Sequence, residues 1–248
     1  MPTLSIDGKI IECNLTIFDM DGTLIDVSHR FEKLARVRSK VMESTVGINT
    51  TELWAKASGI DLTTGKVELG GALAIATRSE DLIVAATVIA INGVNWSEAK
   101  RISEQIYSEA DKIMASTYNP VLLPGVRELL YRLKKAGFKN AIATNAPNVS
   151  AEDAMKSVNL TEVFTTIAGA DDVENSKPAP DMILLACKRC GCLPHEAVYL
   201  GDTPSDMQAG RRAGVNSVIA VKSDFFEESG YSDYDVYIDS YDKIKINL

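Results

Sequence analysis

Short apolar runs alternate with helical patterns over the second half of the chain, and this alternation restricts the fold more than any other feature of the sequence. Repeated strand–helix–strand units build a parallel sheet with helices on both faces. We therefore predict an α/β protein with a Rossmann-like, doubly wound parallel sheet and a ligand site beyond the carboxyl ends of its strands. Strands are predicted at 140–144, 165–168, 197–200, 217–221 and 236–238, and helices at 126–135, 150–158, 181–189 and 204–213.

The first part of the chain combines a strand-forming start with a long helical segment. An Asp-Gly pair between two short apolar runs predicts a hairpin over 4–11, and the apolar run 15–18 predicts a buried strand. The next 90 or so residues are helical in pattern and too numerous for a loop. We therefore predict a core of 1–27 and 119–248 into which an all-helical domain, 28–118, is inserted. Helices within it are predicted at 28–46, 80–92 and 97–115.

The net charge restricts the classes of partner. The 248 residues include 26 Lys and Arg against 34 Asp and Glu, which gives a formal charge of −8. Nucleic acids and acidic lipids attract cationic proteins, so we predict no nucleic-acid or membrane partner. No basic segment precedes a long apolar run at the start of the chain, and the most apolar stretch, 82–91, is too short to span a bilayer. We expect a cytoplasmic protein that is a monomer or a homodimer.

Three of the four cysteines lie close together as C-x-x-C-x-C, at Cys187, Cys190 and Cys192. Neither a second cysteine pair nor a histidine pair occurs at the spacing of a zinc site, and the chain has two histidines in all. We interpret these residues as buried thiols at a helix end, and the sequence leaves a disulfide open.

Acidic side chains follow two of the predicted strands at the point where each strand ends. Asp19 and Asp21 follow the first strand of the sheet, and Asp202 and Asp206 follow a later one. The carboxyl ends of parallel strands face the same way, so we expect these carboxylates to converge. Two such charges about 4 Å apart repel by about 4 kcal/mol at an effective dielectric near 20, so some must protonate or a cation must neutralise them. Oxygen ligands without nearby His or Cys favour Mg²⁺.

Two further strand ends carry groups that suit a phosphoryl group. Thr144 and Asn145 follow one strand, and Asp171 and Asp172 follow the next, with Lys177 shortly after them. A lysine supplies positive charge, a threonine supplies a hydroxyl, and the amides of a turn donate to anions. Phosphoryl transfer depends on positioning and charge neutralisation. One carboxylate of the site would then attack phosphorus while another moves the proton.

These four clusters resemble the motifs of the haloacid dehalogenase superfamily of phosphohydrolases. The segment after the first strand resembles the family pattern F-D-x-D-G-T-L, and the segment near residue 200 resembles G-D-[ST]-x-x-D. The helical insert is placed like the cap domain of the phosphoglycolate phosphatase and β-phosphoglucomutase branch. The matching segments are FDMDGTL (18–24), TN (144–145), KP (177–178) and GDTPSD (201–206).

The resemblance implies catalytic and metal-binding roles for the acidic residues. Asp19 would be the nucleophile and a Mg²⁺ ligand. Asp21 would be the general acid and base, and its main-chain carbonyl would also bind Mg²⁺. Asp202 would ligate Mg²⁺ directly, while Asp206 would support the ion through water or orient Lys177.

The resemblance also implies a phosphate-binding set. Thr144, Asn145 and the turn at Gly22 would hold the phosphate, and Lys177 would tie it to the nucleophile. In the cap, Arg78 is the residue that best fits contact with an anionic leaving group. His29 follows the first motif closely enough to line the cleft.

The function implied is that of a Mg²⁺-dependent phosphatase acting on a small phosphomonoester, the size of phosphoglycolate or glycerol phosphate, through an aspartyl-phosphate. A β-phosphoglucomutase-like sugar phosphomutase uses the same motifs and stays open, and a non-catalytic phosphate-binding module is a further alternative. Phosphonate hydrolases and haloalkanoate dehalogenases of this family lack the second Asp of the first motif. The presence of Asp21 therefore argues against both.

Overall fold

The computed structural model describes residues 2–68, 70–223 and 233–247, and for Ile75 it describes the main chain only. The chain divides into two units, Met1–Asp26 with Asn119–Leu248, and Val27–Tyr118. The strands are β1 (Thr3–Ile6), β2 (Lys9–Glu12), β3 (Leu15–Phe18), β4 (Lys139–Ala143), β5 (Thr166–Ala168), β6 (Ala197–Gly201), β7 (Ser217–Val221), β8 (Val236–Ile238) and β9 (Lys245–Asn247). The helices are α1 (Val27–Val46), α2 (Ile48–Ser58), α3 (Ala72–Ile75), α4 (Arg78–Ile91), α5 (Trp96–Thr117), α6 (Val126–Lys135), α7 (Asn148–Ser157), α8 (Asp181–Cys190) and α9 (Pro204–Ala213).

Within the described residues of the first unit, six strands form a parallel sheet in the order β5-β4-β3-β6-β7-β8. Consecutive residues of β3 belong to two apolar clusters, since Ile17 packs with one and Phe18 with the other. Both faces of the strand are therefore covered, which explains its mainly apolar sequence, in which the buried Thr16 bonds to Asn140. The chain adds β4 and β5 on one side of β3 and then continues with β6 on the other. The predicted doubly wound sheet is confirmed, and its switch point lies at β3 and β6.

The helix that follows β6 begins and ends at residues with clear local signals. The Thr203 hydroxyl accepts the Asp206 N–H, the Asp206 side chain accepts the Thr203 N–H, and Pro204 occupies the first turn. Gly214, in the left-handed conformation at φ +71°, ends the helix. Helix α9 thus has the bounds that the sequence predicts, as do α6, β7 and β8, while β6 ends one residue later than predicted and β4 begins and ends one residue earlier.

A second, smaller sheet is formed by β2, β1 and β9, which pair antiparallel. The predicted hairpin is confirmed, because Ile6 pairs with Lys9 across the turn. Asp7 and Gly8 both have positive φ, at 48° and 84°, as a type I′ turn requires. The third strand of this sheet, β9, is not among the predicted strands.

The second unit contains helices α1 to α5 around its own apolar cluster, which includes the fully buried Trp54 and Tyr107. A buried ion pair joins α1 to α4, with 2.5 Å between Arg38 Nη1 and Asp81 Oδ2. The Tyr107 hydroxyl of α5 donates to Asp81 Oδ1 over 2.7 Å. Helices α2 and α3 are additional to the helices that the sequence predicts.

The two points at which the first unit's chain is interrupted by the insert are joined by main-chain hydrogen bonds. The Asp26 N–H donates to the Val121 carbonyl over 2.8 Å, and the Leu123 N–H donates to the Leu24 carbonyl over 3.0 Å. Ile25 and Leu122 form an antiparallel bridge between them. The outgoing and returning segments of the first unit are therefore held side by side.

The positions of the cysteines test the interpretation of the C-x-x-C-x-C segment. All four cysteines are free, and Cys187 and Cys190 are buried at the end of α8, as interpreted from the sequence. Burial raises the pKa of the Cys190 thiol to about 11.

In the described parts of the chain, no helix combines the length and the apolarity that crossing a membrane requires.

Candidate active site

The carboxyl ends of the central strands carry the acidic side chains. Asp19 follows β3 and Asp202 follows β6, and these strands are paired through Phe18 and Leu200. The Asp19 N–H donates to the Leu200 carbonyl over 2.8 Å, which fixes the first acidic residue to the end of β6. Parallel pairing thus brings together two residues that are far apart in sequence.

Lys177 is the cation of this site and lies in the segment between β5 and α8. Its Nζ is 2.5 Å from Asp19 Oδ1, 2.7 Å from Asp206 Oδ1 and 3.3 Å from the Tyr199 hydroxyl. The side chain is 4% exposed. Burial alone lowers the pKa of Lys177, but the Asp19 and Asp206 carboxylates more than offset this, so its pKa lies above the ordinary value. Lys177 is therefore a buried ammonium whose charged form is stabilised by two carboxylates.

Asp206 has hydrogen bonds on both of its carboxylate oxygens. Oδ1 accepts from Lys177 and from the Tyr199 hydroxyl, while Oδ2 accepts from the Thr203 N–H at 3.0 Å and the Thr203 hydroxyl at 2.5 Å. Burial tends to raise the pKa of Asp206, but Lys177 and these hydrogen bonds hold it below the ordinary value. Gly201 makes this approach possible, because a Cβ there would lie 2.4 Å from the Asp206 Cβ. Of the two roles implied for Asp206, this geometry favours orienting Lys177.

Asp202 has one paired and one unpaired carboxylate oxygen. The Thr23 hydroxyl donates to Oδ1 over 2.9 Å, whereas Oδ2 is buried without a hydrogen-bond partner among the described residues. Burial, and after it the charge of Asp206, raises the pKa of Asp202 to about 7. Gly22 has φ +84°, and a Cβ there would lie 2.1 Å from Asp202 Oδ2. The glycine of the first motif therefore makes room for this oxygen, while its own N–H donates to the Ile25 carbonyl over 2.9 Å.

A group of three carboxylates could hold a metal ion within the part of the chain that the structure describes. One oxygen from each of Asp19, Asp202 and Asp206 lies within 4.8 Å of the others, and all three residues are buried. Burial raises the pKa of Asp19 well above its ordinary value, with Asp206 and Asp202 adding to the effect and Lys177 opposing it. The all-oxygen donor set and the orphaned Asp202 Oδ2 fit Mg²⁺. The side chain of Asp21 is outside this group, so the metal contact predicted for it concerns its main-chain carbonyl.

Thr144 and Asn145 lie at the end of β4, as predicted. The Thr144 hydroxyl is buried and accepts the Ala146 N–H over 3.2 Å. Asn145 is exposed, and its Oδ1 accepts the main-chain N–H of Lys177 over 3.0 Å. Asn145 thus holds the loop that carries the lysine, and that loop contains a cis peptide between Lys177 and Pro178.

The two acidic residues after β5 bond to other groups. Asp171 accepts the Asn148 N–H over 2.7 Å, and Asp172 forms an ion pair with Arg189 at 2.9 Å. The hydrogen bond from Arg189 holds the pKa of Asp172 below its ordinary value. Of the cluster predicted after the third strand, Lys177 is the member that contacts Asp19. The two aspartates have partners on α7 and α8, and their convergence with the other clusters stays a prediction.

The two candidate cap residues have partners within the second unit. The Arg78 guanidinium is 2.5 Å from Asp111 Oδ2 and lies 4.8 Å from the centroid of the Tyr107 ring. The His29 ring lies 6.3 Å from the Tyr118 ring. Contact between Arg78 and a substrate stays a prediction, and it would require the Asp111 pair to open or to be shared.

Sequence reasoning missed three residues of the site. Tyr199 and Thr23 bond directly to Asp206 and Asp202. The hydroxyl of the buried Tyr241, from near the end of the chain, donates to the Thr23 carbonyl. A tyrosine inside an otherwise apolar strand is the one sequence signal that pointed to Tyr199, because a buried hydroxyl requires a partner.

The structure is that of a doubly wound α/β protein with a buried Asp–Lys–Asp group at the carboxyl edge of its sheet. The sequence profile of the haloacid dehalogenase-like hydrolases matches residues 16–220, which is more than half of the chain. This chain belongs to the haloacid dehalogenase-like hydrolase family, and the resemblance inferred from its motifs is confirmed.

Individual relatives agree with this assignment. The phosphoglycolate phosphatase of Salmonella typhimurium strain LT2 is 32% identical over 125 residues, or 50% of each chain, so the match spans about half the length of that relative. The phosphoglycolate phosphatase of Shigella boydii serotype 4 is 28% identical over 204 residues, covering 81% of this chain and 78% of that protein. A subfamily IA hydrolase of the same superfamily from Geobacter sulfurreducens shares the fold, with a TM-score of 0.63, 22% identity and 92% of each chain covered.

Proposed function

We propose that this protein is a Mg²⁺-dependent phosphatase that hydrolyses a small phosphomonoester, of the size of phosphoglycolate or glycerol phosphate, through an aspartyl-phosphate on Asp19. The observation that carries the proposal is the buried Lys177 ammonium, 2.5 Å from Asp19 Oδ1, in a site where Asp19 is grouped with the buried Asp202 and Asp206. The relatives named phosphoglycolate phosphatase support the substrate class.

In the first step, a carboxylate oxygen of Asp19 attacks the phosphorus atom of the ester. The phosphorus–oxygen bond to the leaving group breaks, and the protonated Asp21 carboxyl gives its proton to the departing alkoxide. Lys177, fixed against Asp19 Oδ1, offsets negative charge where the nucleophile meets the phosphoryl oxygens. Thr144 and Asn145 bind the phosphoryl group from the end of β4.

In the second step, the Asp21 carboxylate takes a proton from a water molecule, whose oxygen attacks the same phosphorus atom. The bond between phosphorus and the Asp19 oxygen breaks, which regenerates the Asp19 carboxylate and releases inorganic phosphate. Asp21 therefore returns to its protonated form for the next cycle, and protons balance over the two steps.

Asp19, Asp202 and the main-chain carbonyl of Asp21 would hold the Mg²⁺. When bound, the ion supplies positive charge that neutralises the carboxylates and the transferring phosphoryl group. Asp206 acts on this set through Lys177, because both of its oxygens are already hydrogen-bonded.

We also propose that the protein acts in the cytoplasm. Thiols stay reduced in that compartment, and the four cysteines of this chain are free.

The test is phosphate release from a panel of phosphoglycolate, glycerol phosphate and sugar phosphates, with Mg²⁺ or with EDTA. We expect release by the wild type with Mg²⁺ and a loss of at least about 10³-fold in Asp19→Asn, because the amide is not a nucleophile. Asp171→Asn changes an acidic residue that is not among the three grouped carboxylates, and it is expected to retain activity within about twofold. Undiminished turnover in Asp19→Asn would reject the mechanism. Isomerised sugar phosphate with little free phosphate would instead indicate a phosphomutase.

A further inference from the structure

Tyr199 closes a ring of hydrogen bonds with Lys177 and Asp206. Its hydroxyl donates to Asp206 Oδ1 over 2.7 Å and accepts from Lys177 Nζ over 3.3 Å. An ammonium has three N–H donors, and those of Lys177 are directed to Asp19, Asp206 and Tyr199. The three acceptors together determine the orientation of the ammonium.

The ring of Tyr199 is held between the sheet and α9, so its hydroxyl has little freedom to move. Tyr199 is fully buried in β6. A Cβ at Gly210 would lie 3.3 Å from the Tyr199 Cδ1, so this glycine allows the helix to approach the ring closely. Asp206 lies one helical turn before Gly210 on the same face of α9, and it meets the hydroxyl. One helix face thus contacts both the ring and its polar end.

We propose that Tyr199 is a positioning residue, which holds the Lys177 ammonium against Asp19 Oδ1 for the reaction, and this inference rests on the proposed function. Without the hydroxyl, the ammonium has two carboxylate acceptors and one unused donor. It can then shift toward Asp206, away from Asp19, and Asp206 Oδ1 also loses a donor. The hydroxyl therefore keeps the lysine between the two carboxylates.

The test is Tyr199→Phe, which removes only the hydroxyl and keeps the packed ring. We expect kcat for phosphoglycolate with Mg²⁺ to fall by about 10- to 100-fold, the range typical when a partner that orients a metal ligand is removed. We expect KM to change by less than about threefold, because the phosphate-binding groups stay in place. Turnover is expressed per active site, with the number of sites determined by trapping the phosphoenzyme. An unchanged kcat per site would show that the hydroxyl only stabilises the fold.

Tyr107→Phe is the matched control. This tyrosine is also fully buried and also donates to a carboxylate, Asp81 Oδ1, but it belongs to the helical unit. We expect it to lower the melting temperature to a similar extent and to leave kcat within about twofold. An equal loss of kcat in both variants would overturn the specific role of Tyr199.

A second measurement does not depend on turnover. Crystal structures of the metal-free wild type and Tyr199→Phe are compared for the distance from Lys177 Nζ to Asp19 Oδ1, which is 2.5 Å here. We expect a longer distance in the variant, and an unchanged distance would overturn the positioning role. If the wild type hydrolyses no ester of the panel, the proposed function fails, and this comparison still decides whether Tyr199 positions the lysine.

Discussion

Replacing Lys177 with methionine tests the electrostatic account of the site most directly, because methionine keeps a similar length without the charge. In the variant, Asp19 and Asp206 lose a buried cation at 2.5 and 2.7 Å. Their nearest oxygens lie within 4.8 Å, where two ionised carboxylates repel by about 3.5 kcal/mol at an effective dielectric near 20. Breaking a buried ion pair typically destabilises a protein by about 3–5 kcal/mol. We therefore expect the free energy of unfolding of Lys177→Met to be about 3–5 kcal/mol lower than that of the wild type, as measured by urea unfolding at pH 8 without Mg²⁺.

The same variant makes a prediction about pH. Unpaired and buried, the carboxyls of Asp19 and Asp206 take folded-state pKa values above those of the unfolded chain, so the folded variant binds more protons and gains stability as pH falls. In the wild type, burial already raises the pKa of Asp19, so the two proteins differ chiefly at Asp206. Lys177 holds the pKa of Asp206 below the ordinary value there, and the stability that Asp206 contributes is lost only as pH falls through that lower value. The difference in the free energy of unfolding between the wild type and Lys177→Met should therefore become smaller from pH 8 toward pH 5.

Lys112→Met is the control for this comparison. Lys112 is 72% exposed, and its Nζ lies 3.7 Å from Glu109 Oε2. Its removal is expected to change the free energy of unfolding by less than about 1 kcal/mol at any pH. A loss in Lys177→Met no larger than this, with no dependence on pH, would refute the assignment of a buried and charged lysine.

Three further predictions concern the glycine, the metal and the helical unit. Gly22→Ala should weaken Mg²⁺ binding at least about tenfold, since the new Cβ would clash with Asp202 Oδ2, and it should add about 1–2 kcal/mol of backbone strain, since φ is +84°. An unchanged Mg²⁺ affinity in calorimetric titration would contradict this. In the wild type, Mg²⁺ affinity should fall by up to about tenfold for each pH unit below pH 7. Binding needs ionised Asp202, whose pKa without the ion is about 7. Calorimetric titration with Mg²⁺ at pH 5.5 to 8 checks this. Asp81→Asn should destabilise the protein by about 3–5 kcal/mol, because it leaves the buried Arg38 without its ion pair. Arg78→Ala breaks an exposed pair and should cost less than about 1 kcal/mol of stability. Equal melting temperatures in these two variants would refute the contrast.

The parts of the fold that follow from local pattern were predictable. The strands of the large sheet are predictable because β3 and β6 are mainly apolar runs that end in polar turns. Strand β9 has little local signal, because it is a three-residue strand that is stable only through pairing with β1, at the other end of the chain. Helix α2 is also missed, since its buried side includes Thr50, Thr51 and Ser58, so no apolar stripe marks it.

The site shows the same division between rules of topology and details of packing. Asp19, Lys177 and Asp202 come together because parallel strands end at the same edge of the sheet. The sequence does not reveal the partners of Asp171 and Asp172, which lie on α7 and α8. Tyr199 reads as an ordinary core residue until helix α9 brings Asp206 to its hydroxyl.

The bridge between Ile25 and Leu122 has a consequence for how such a chain diversifies. Asp26 is bonded to Val121, so both ends of the helical segment leave the sheet-bearing unit at neighbouring points, as the ends of a hairpin do. A segment whose ends come close together can be grafted there without altering the path of the surrounding backbone. The helical unit can thus be exchanged as a whole, while the group of carboxylates at the edge of the sheet keeps its arrangement.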